Sequence, residues 1–380
     1  MNPLWNDEQE SPLQHLRVVD LTLLLPGPFF TRILAQLGAE VIKVEGLPKG
    51  DPFRNLTESS AAIEWLSQGK KSVALDLRSA PGIDLVRRLA AESDVFVENF
   101  REGITDAMGL GYEALSALNP ELLYVSLRGF SSPHATEAGH DLNFIAASGV
   151  GEWHLENGPT YATHWGDLVG GALVPAIRLL AHLANPERRG MHLVLSMEQG
   201  FRSLFVGRAY DALKARQLPE AQRPQFGLHT HAGAQVAHSR YYRCADGHWI
   251  SLCAVQPRHW QMLCERWNKP DWSSRAHDPA LVAELEAWFL TQPATHWDNG
   301  AGDRGCLVRV VPWAEHALSL PSPESLMNDP LGWAGFSSNA KLGAPPALGQ
   351  HTLETLAALG VPPELREEFL KQAVAFAPGR

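Results

Sequence analysis

The chain has 380 residues, of which 45% are hydrophobic and 19% charged, and its formal net charge at pH 7 is −10. This length is sufficient for a buried core divided between two domains. The negative charge and the lack of a long Lys/Arg run argue against a nucleic-acid partner, because phosphate binding requires a clustered basic face.

No apolar run is expected to approach the roughly 18 residues of a membrane span, and residues 1–12 lack the basic and apolar regions of a signal peptide. We therefore predict a cytoplasmic globular enzyme without a membrane partner. The four cysteines lack CxxC spacing, and the twelve tryptophans are scattered. These patterns predict ordinary thiols and tryptophans that lie in cores or interfaces.

The N-terminal half alternates between the patterns of strands and helices. Strands are predicted at 16–21, 40–45, 72–77, 94–98 and 122–127, and helices at 29–37, 82–91, 112–118 and 173–184. This alternation is typical of a doubly wound parallel sheet, so we predict an α/β fold. The first turn, Pro26-Gly27-Pro28, has no GxGxxG sequence. A dinucleotide site is therefore not expected.

The second half of the chain has a different organisation. A segment rich in Pro, Gln, His and Gly at about 219–233 predicts a linker, after a long helix that follows Ser196. A hairpin around Ala245-Asp246-Gly247, with helices at 259–267 and 281–290, predicts a smaller α+β domain. Loop-like sequence follows at 320–349, and a last helical region is predicted at 352–373.

Several short segments resemble those of the family III CoA-transferases, which include formyl-CoA and carnitine CoA-transferases and the α-methylacyl-CoA racemases. The resemblance covers nearly the whole chain. The segments are Leu16-Arg17-Val18-Val19-Asp20-Leu21, Gly38-Ala39-Glu40-Val41-Ile42-Lys43-Val44-Glu45, Gly69-Lys70-Lys71-Ser72, Val97-Glu98-Asn99-Phe100-Arg101 and Gly349-Gln350-His351-Thr352.

This resemblance implies a Rossmann-like large domain without a dinucleotide site, into which the small domain is inserted. We accordingly expect a large domain at 1–218, a small domain at 219–318, and a return to the large domain at 319–380. The resemblance also implies a homodimer whose chains interlock. It implies no permanently bound cofactor, because coenzyme A enters as an acyl-CoA substrate and a carboxylic acid is the second substrate.

The family's CoA site also has counterparts in this chain. The matching residues are Lys43, Leu75, Arg78, Asn99, Phe100 and Arg101. By resemblance, Lys43, Arg78 and Arg101 would contact the phosphates. Relatives often have an arginine immediately before Met108, whereas this chain has Ala107, so one phosphate contact would be missing or relocated.

Asp167 matches the family's aspartate nucleophile. A carboxylate can attack a thioester carbonyl and form a mixed anhydride. Gly166, Gly170 and Gly171 are expected to let the thioester and backbone N–H donors approach closely. From the residues alone, Asp167 is better explained as the N-cap of the following helix. The resemblance reverses that preference.

His140, in the motif Gly139-His140-Asp141, resembles the racemases, whereas transferases commonly have an aromatic residue there. Racemisation α to a thioester needs a base on each face, and His140 with Asp167 could supply the two. From the residues alone, His140 is better explained as a core histidine bonded to backbone. Gln256 stands where racemases have a glutamate that pairs with this histidine. A glutamine cannot stabilise an imidazolium as a charge would.

Three hypotheses of function follow, and the first is preferred. They are a CoA-transferase that acts through Asp167, a 2-methylacyl-CoA racemase that uses His140 and Asp167, and an inactive CoA-thioester-binding homologue. Ala107 and Gln256 motivate the last. His229, His231 and His238 have no Cys, Asp or Glu partner at ligand spacing, so no metal site is predicted.

Overall fold

The structure, a computed structural model, describes residues 11–56, 61–149, 164–185, 187, 190–220, 236–298, 306–312, 315 and 344–379. These residues divide into two compact units. The first comprises the described residues up to 206 together with 344–379, and the second comprises those from 207 to 315. The second unit thus begins earlier along the chain than the boundary predicted at 219.

The first unit contains a seven-stranded sheet. Its strands are β1 (Arg17–Asp20), β2 (Glu40–Gly46), β3 (Lys70–Leu75), β4 (Val95–Glu98), β5 (Leu123–Arg128), β6 (Met191–Ser196) and β10 (Ala375–Phe376). They are ordered β10-β3-β2-β1-β4-β5-β6, and only the pairing of β10 with β3 is antiparallel. The order from β3 to β6 is that of a Rossmann-like sheet. The predicted α/β class is therefore confirmed, with an antiparallel edge strand added.

Helices of the first unit cover both faces of this sheet. They are α1 (Pro26–Gln36), α2 (Phe53–Leu56), α3 (Ala61–Ser67), α4 (Ala80–Ala91), α5 (Ile104–Ala107), α6 (Tyr112–Ser116), α7 (Asp141–Ala147), a π-helix (Gly166–Leu173), α8 (Val174–Leu183), α9 (Met197–Ser203), α14 (Thr352–Ala358) and α15 (Pro363–Lys371). Val18 packs in one apolar cluster and Val19 in another. Successive strand residues face opposite sides, so both faces are buried.

Two predicted helices begin earlier than their apolar pattern indicates. Helix α1 starts at Pro26 and α4 at Ala80, and each has a proline in its first turn. Proline suits this position because the first N–H groups have no partner within the helix. The Oγ of Ser79 also accepts the N–H of Gly82 at 3.1 Å, which caps α4.

Two long predicted helices are each divided in the structure. The region 352–373 forms α14 and α15, separated by a segment that contains Gly360 with φ of +70° and Pro362. The helix predicted after Ser196 forms α9 and α10 (Val206–Ala215). Strand β6, which precedes α9, was not predicted. The predicted linker at 219–233 lies almost entirely outside the described residues.

Residues Gly166–Leu183, the π-helix and α8 together, form an 18-residue stretch with a mean hydropathy of 1.3. By length and composition it is apolar enough to cross a membrane, so the prediction that no run approaches this length is wrong. Buried residues of this stretch pack against those of α1 and the sheet. A core helix of a folded unit passes the same test of length and composition.

The second unit combines a three-stranded antiparallel sheet with short helices, as predicted. Its elements are β7 (Ser239–Arg243), β8 (Trp249–Cys253), α11 (Pro257–Arg266), a 3₁₀-helix (Pro270–Arg275), α12 (Pro279–Phe289), α13 (Ala294–Asp298) and β9 (Leu307–Arg309). Trp260, Trp267, Trp272 and Trp297 are buried in one cluster. The prediction of core tryptophans is confirmed for these four.

Candidate active site

A cleft of about 680 Å³ opens in the first unit at the carboxyl end of the parallel sheet. Residues after β4 and at the end of β5 reach it, which is where α/β folds bind ligands. Its lining is Leu24, Leu25, Pro26, Phe53, Asn99, Phe100, Arg101, Arg128, Gly129, Ala135, Glu137, Ala138, Gly139, His140, Asp141, Leu142, Asn143, Phe144, His164, Asp167 and Met197. The cleft therefore brings together five of the eight predicted site residues.

Asp167 lies in the first turn of the π-helix and lines the cleft. Trp165 occupies the N-cap position, so the interpretation of Asp167 as an N-cap is wrong. Burial, and then the negative charge of Asp141, raise the pKa of the Asp167 carboxyl to about 7. A carboxyl with this pKa exchanges protons readily near neutral pH. π-helical turns recur at functional sites, which fits this position.

Asp141 is an acidic residue in contact with Asp167. Its side chain is buried, and Oδ1 accepts the backbone N–H of Asp167 at 2.8 Å. Its Oδ2 has no hydrogen-bond partner among the described residues. Asp141 is also the first residue of α7, where the unpaired N–H groups of the helix favour a negative charge. Asp141 thus fixes the Asp167 backbone and raises the pKa of its side chain.

The three glycines around Asp167 are required by packing. A Cβ on Gly170 would overlap with the carbonyl oxygen of Met197, and one on Gly171 would press on Pro26 and Met197. A Cβ on Gly166 would lie 3.0 Å from Oδ1 of Asp141. The predicted role of these glycines toward a thioester stays a prediction. They let the π-helix approach α1, α7 and α9 closely.

We expect Gly170→Ala to destabilise the first unit by about 1–3 kcal/mol, because the added methyl group has no space against α9. The measurement is the free energy of unfolding from urea titration. Gly46→Ala in β2 of the same unit is the matched control, since a Cβ there meets only the Leu77 side chain at an ordinary 3.5 Å and the change should alter stability by less than about 1 kcal/mol. Equal stability of the two variants would contradict the packing explanation.

His140 precedes α7 and lines the cleft with its side chain exposed. Its backbone N–H donates to Oδ1 of Asn143 at 3.0 Å, which closes the helix N-terminus. Because this side chain is exposed, the interpretation of His140 as a core histidine is wrong.

Asn99, Phe100 and Arg101 follow β4 and all line the cleft. The amide of Asn99 bonds both backbone groups of Leu23, with Oδ1 accepting at 2.8 Å and Nδ2 donating at 2.9 Å. This pair fixes the loop between β1 and α1. The Arg101 side chain is exposed at the rim. An exposed guanidinium at this position is available to a phosphate.

Glu98 and Arg128 form hydrogen bonds with the backbone of Phe100. The N–H of Phe100 donates to Oε2 of Glu98 at 2.8 Å, and its carbonyl accepts from Nη1 of Arg128 at 2.8 Å. The same Nη1 lies 2.7 Å from Oε1 of Glu98, with both side chains buried. Burial raises the pKa of Glu98, although Arg128 and Ser126 oppose the shift.

Lys43, which was predicted to contact a phosphate, lies in the interior of the first unit. Its side chain is 2% exposed, and Nζ lies 3.0 Å from Oδ2 of Asp51 and 2.8 Å from the carbonyl of Thr22. A buried ammonium with these partners does not reach a phosphate in solvent, so this contact is a wrong prediction. Leu75 is likewise fully buried in β3. Arg78 is 80% exposed and pairs with Asp76 outside the cleft.

Lys43 belongs to a buried charge network, which we define as Asp20, Lys43, Asp51 and Lys70. Lys70 Nζ lies 3.1 Å from Oδ2 of Asp20, and neither side chain is exposed. Burial lowers the pKa of Lys70 to about 8. The pKa of Asp20 falls to about 2, because the two lysines and two hydroxyl donors outweigh its burial. The opposite charges of this network offset one another's cost of burial next to the loop between β1 and α1.

Two further candidates lie in the second unit. Oε1 of Gln256 accepts from Nε of Arg258 at 2.9 Å. His238 is buried, with Nδ1 3.2 Å from the carbonyl of Ala276, which is a core environment. His229 and His231 lie outside the described residues. Within the described part of the chain, no group of three His, Cys, Asp or Glu residues could hold a metal ion.

Several residues of the cleft were not predicted, and Arg128 is the most informative of them. It ends the apolar strand β5, so the sequence shows only one charged residue after a buried run. A cation at the carboxyl end of a parallel strand is a signal of a ligand site, since these ends meet at one edge. Phe53 and Met197 come from segments that are distant in sequence, and no sequence pattern indicated that they line the cleft.

A comparison with known families identifies the family of this chain. Residues 13–352 match the family model for CoA-transferase family III. The chain belongs to this family.

Individual relatives include two kinds of enzyme. The chain is 29% identical over 384 residues to the alpha-methylacyl-CoA racemase of Mus musculus, covering 93% of this chain and 94% of the racemase. It is 32% identical over 341 residues to the succinyl-CoA–D-citramalate CoA-transferase of Chloroflexus aurantiacus, covering 82% and 81% of the two chains. An orthorhombic crystal structure of a Mycobacterium tuberculosis protein superposes with a TM-score of 0.73 at 29% identity, covering 91% of this chain and 99% of that one.

Proposed function

We propose that this protein is a CoA-transferase that moves CoA from an acyl-CoA to a carboxylic acid through Asp167. The observation that supports this most strongly is the position of the Asp167 carboxyl, which is partly buried in the same cleft as Asn99, Phe100 and Arg101. A CoA thioester bound along these three residues would have a carboxylate nucleophile within the same cavity. The transferase among the relatives also supports this reaction.

The reaction has two halves. In the first, an Asp167 oxygen attacks the thioester carbonyl, the C–S bond breaks, and a mixed anhydride and CoA thiolate form. The thiolate then attacks Cγ of Asp167, which releases the first acid as its carboxylate and leaves an enzyme thioester. In the second half, the acceptor carboxylate displaces CoA from Cγ. The thiolate attacks the acceptor's acyl carbon, which gives the new acyl-CoA and regenerates the Asp167 carboxylate.

The nucleophile must be ionised, so transfer should require pH above the pKa of Asp167. With this pKa at about 7, the rate should fall as the pH drops below neutrality. Asp141→Asn removes a negative neighbour, which lowers the pKa of Asp167 and should shift the acidic limb to lower pH. The measurement is kcat/KM against pH for both proteins. An acidic limb that stays in place would contradict the electrostatic role of Asp141.

A racemase is the second candidate function. It is supported by the presence of His140 and Asp167 in one cleft and by the racemase among the relatives. In that reaction one residue removes the α-proton and the other returns a proton to the opposite face. The exposed position of the His140 imidazole supports the transferase over this alternative.

One experiment separates these functions. The protein is incubated in D₂O with a panel of acyl-CoAs, including a 2-methylacyl-CoA, with and without added carboxylic acids, and products are identified by mass spectrometry. New acyl-CoAs that form only with an acceptor and without α-deuterium are expected for the transferase. Deuterium at the α-carbon without an acceptor would identify a racemase. Binding without either change would identify an inactive homologue.

We also propose that the protein is a homodimer. Exposed apolar side chains of the first unit support this, since Ile177, Val194 and Leu204 are each more than half exposed. Large exposed apolar groups on neighbouring elements are typical of a surface covered by a partner. Light scattering should give twice the mass of one chain. A monomer at micromolar concentration would contradict the proposal.

A further inference from the structure

Arg128 has donors that the interior of the protein does not use. Its side chain is 7% exposed and lines the cleft. Both of its hydrogen bonds, to Oε1 of Glu98 and to the carbonyl of Phe100, come from Nη1. Among the described residues, Nε and Nη2 have no hydrogen-bond partner, and neither is among the fully buried orphan atoms. The guanidinium is thus fixed on one side and unbonded on the other.

The unbonded side of Arg128 has a specific shape. Nε and Nη2 donate two parallel N–H groups, which match the two oxygens of a carboxylate. Glu98 is anchored in turn by Ser126, whose Oγ donates to Oε1 at 2.5 Å. The ring of contacts through Glu98 and Phe100 leaves the guanidinium little freedom to rotate. A ligand that binds this edge therefore loses little affinity to ordering the side chain.

We propose that Arg128 binds a second carboxylate, carried by the acyl group of the substrate, and so selects half-thioesters of dicarboxylic acids. This inference rests on the proposed function only in taking a CoA thioester as the ligand. Asp167 and Arg128 line the same cleft, so the thioester and the far carboxylate would occupy one cavity. An acyl group without the second carboxylate would leave the Arg128 donors unpaired, which disfavours its binding.

The position of Arg128 favours a carboxylate over the CoA phosphates. Arg101 is exposed at the rim of the cleft. A phosphate bound to Arg101 would keep water on the oxygens that the guanidinium does not contact. Arg128 is buried and already paired with Glu98, so it offers hydrogen bonds more than net positive charge. A singly charged, planar carboxylate suits such a partner better than a doubly charged phosphate.

The test uses unreactive thioethers, so that binding is measured without turnover. S-(3-Carboxypropyl)-CoA is compared with S-(4-methylpentyl)-CoA, in which an isopropyl group replaces the carboxylate, and shorter and longer pairs are included. Calorimetry should show that the wild type binds the acid at least about 10-fold more tightly than its neutral match at one length. Arg128→Gln should reduce that ratio to about 2 or less, because any loss of support for the Phe100 segment affects the acid and the neutral thioether alike. Arg128→Lys should give an intermediate ratio.

Three results would overturn the inference. One is equal affinity of the wild type for acid and neutral thioethers at every length. Another is an equal loss of affinity for both ligands in Arg128→Gln, which would assign the guanidinium to the CoA portion. In that case, Arg128→Gln would bind S-alkyl pantetheines, which lack the nucleotide phosphates, as tightly as the wild type does. The third applies if Arg128→Gln does not fold. In that case, a folded Arg128→Lys that prefers the acid as strongly as an acid-selective wild type would overturn the inference. Selective binding without any CoA transfer would instead contradict the proposed function and support the role of Arg128.

Discussion

Asp167→Asn is expected to lower the rate of CoA transfer by roughly 10³-fold or more, because an amide cannot attack the thioester carbonyl or form the enzyme thioester. The measurement is the formation of new acyl-CoA from an acyl-CoA and an acceptor acid. Asp84→Asn, an exposed change on α4 outside the cleft, is the matched control and should keep wild-type activity. Turnover by Asp167→Asn at a wild-type rate would contradict both the transferase and the racemase mechanisms.

The same variant has a readout that does not depend on activity. The pKa of Asp167 in the folded protein, about 7, lies above the ordinary value of 3.8, so ionisation opposes folding. This destabilisation is absent below pH 4, grows between pH 4 and 7, and is complete above pH 7. Asp167→Asn should therefore stabilise the protein at pH 8 by about 1 kcal/mol or more, but not at pH 4. A gain that does not vary with pH would show that the carboxyl is not perturbed by burial and Asp141.

Asp20→Ala is expected to destabilise the first unit by about 3–5 kcal/mol, because it leaves the buried ammonium of Lys70 without its counter-ion. Asp20 also accepts hydrogen bonds from the hydroxyls of Thr22 and Thr31 at 2.5 Å. The pKa of Asp20 is lowered to about 2, so its contribution to stability is present above pH 4 and is lost as the pH falls towards 2. Chemical denaturation at pH 7 and pH 3 measures both effects.

Glu40→Ala is the control for Asp20→Ala. Glu40 pairs with Arg17 at 2.8 Å and with Lys71 at 2.9 Å, but all three side chains are more than a third exposed. Solvent screens such pairs, so their loss should change stability by less than about 1 kcal/mol. If the two variants were equally stable, the buried charge network would not be the structural support of the loop between β1 and α1.

The sequence predicted the parallel strands β1 to β5 because they have nearly continuous apolar runs that are buried. The parallel strand β6 was missed because most of its residues are only partly buried or exposed. Strand β10 was missed since it has two residues and pairs with β3 from the far end of the chain. Helices α14 and α15 were merged because their apolar patterns are similar. Gly360 and the prolines beside it contain the signal that separates them.

For the candidate site, five of the residues that the motifs single out line one cleft in the structure: Asn99, Phe100, Arg101, His140 and Asp167. The motifs failed for Lys43, because similarity of a segment does not show whether a side chain faces the interior or the ligand. The cleft combines distant parts of the chain, and their meeting depends on tertiary packing. The close approach of the π-helix to α9, which the glycines allow, is one such contact.

The central claim is that Asp167 becomes covalently linked during transfer, and trapping of the enzyme thioester tests it most directly. The protein is incubated with an acyl-CoA and treated with sodium borohydride, which reduces a thioester at Cγ to an alcohol and releases CoA. Peptide mass spectrometry should then find homoserine in place of Asp167, only after incubation with the acyl-CoA. Turnover of the same acyl-CoA with an unmodified Asp167 peptide, under conditions that reduce a thioester standard, would contradict the account.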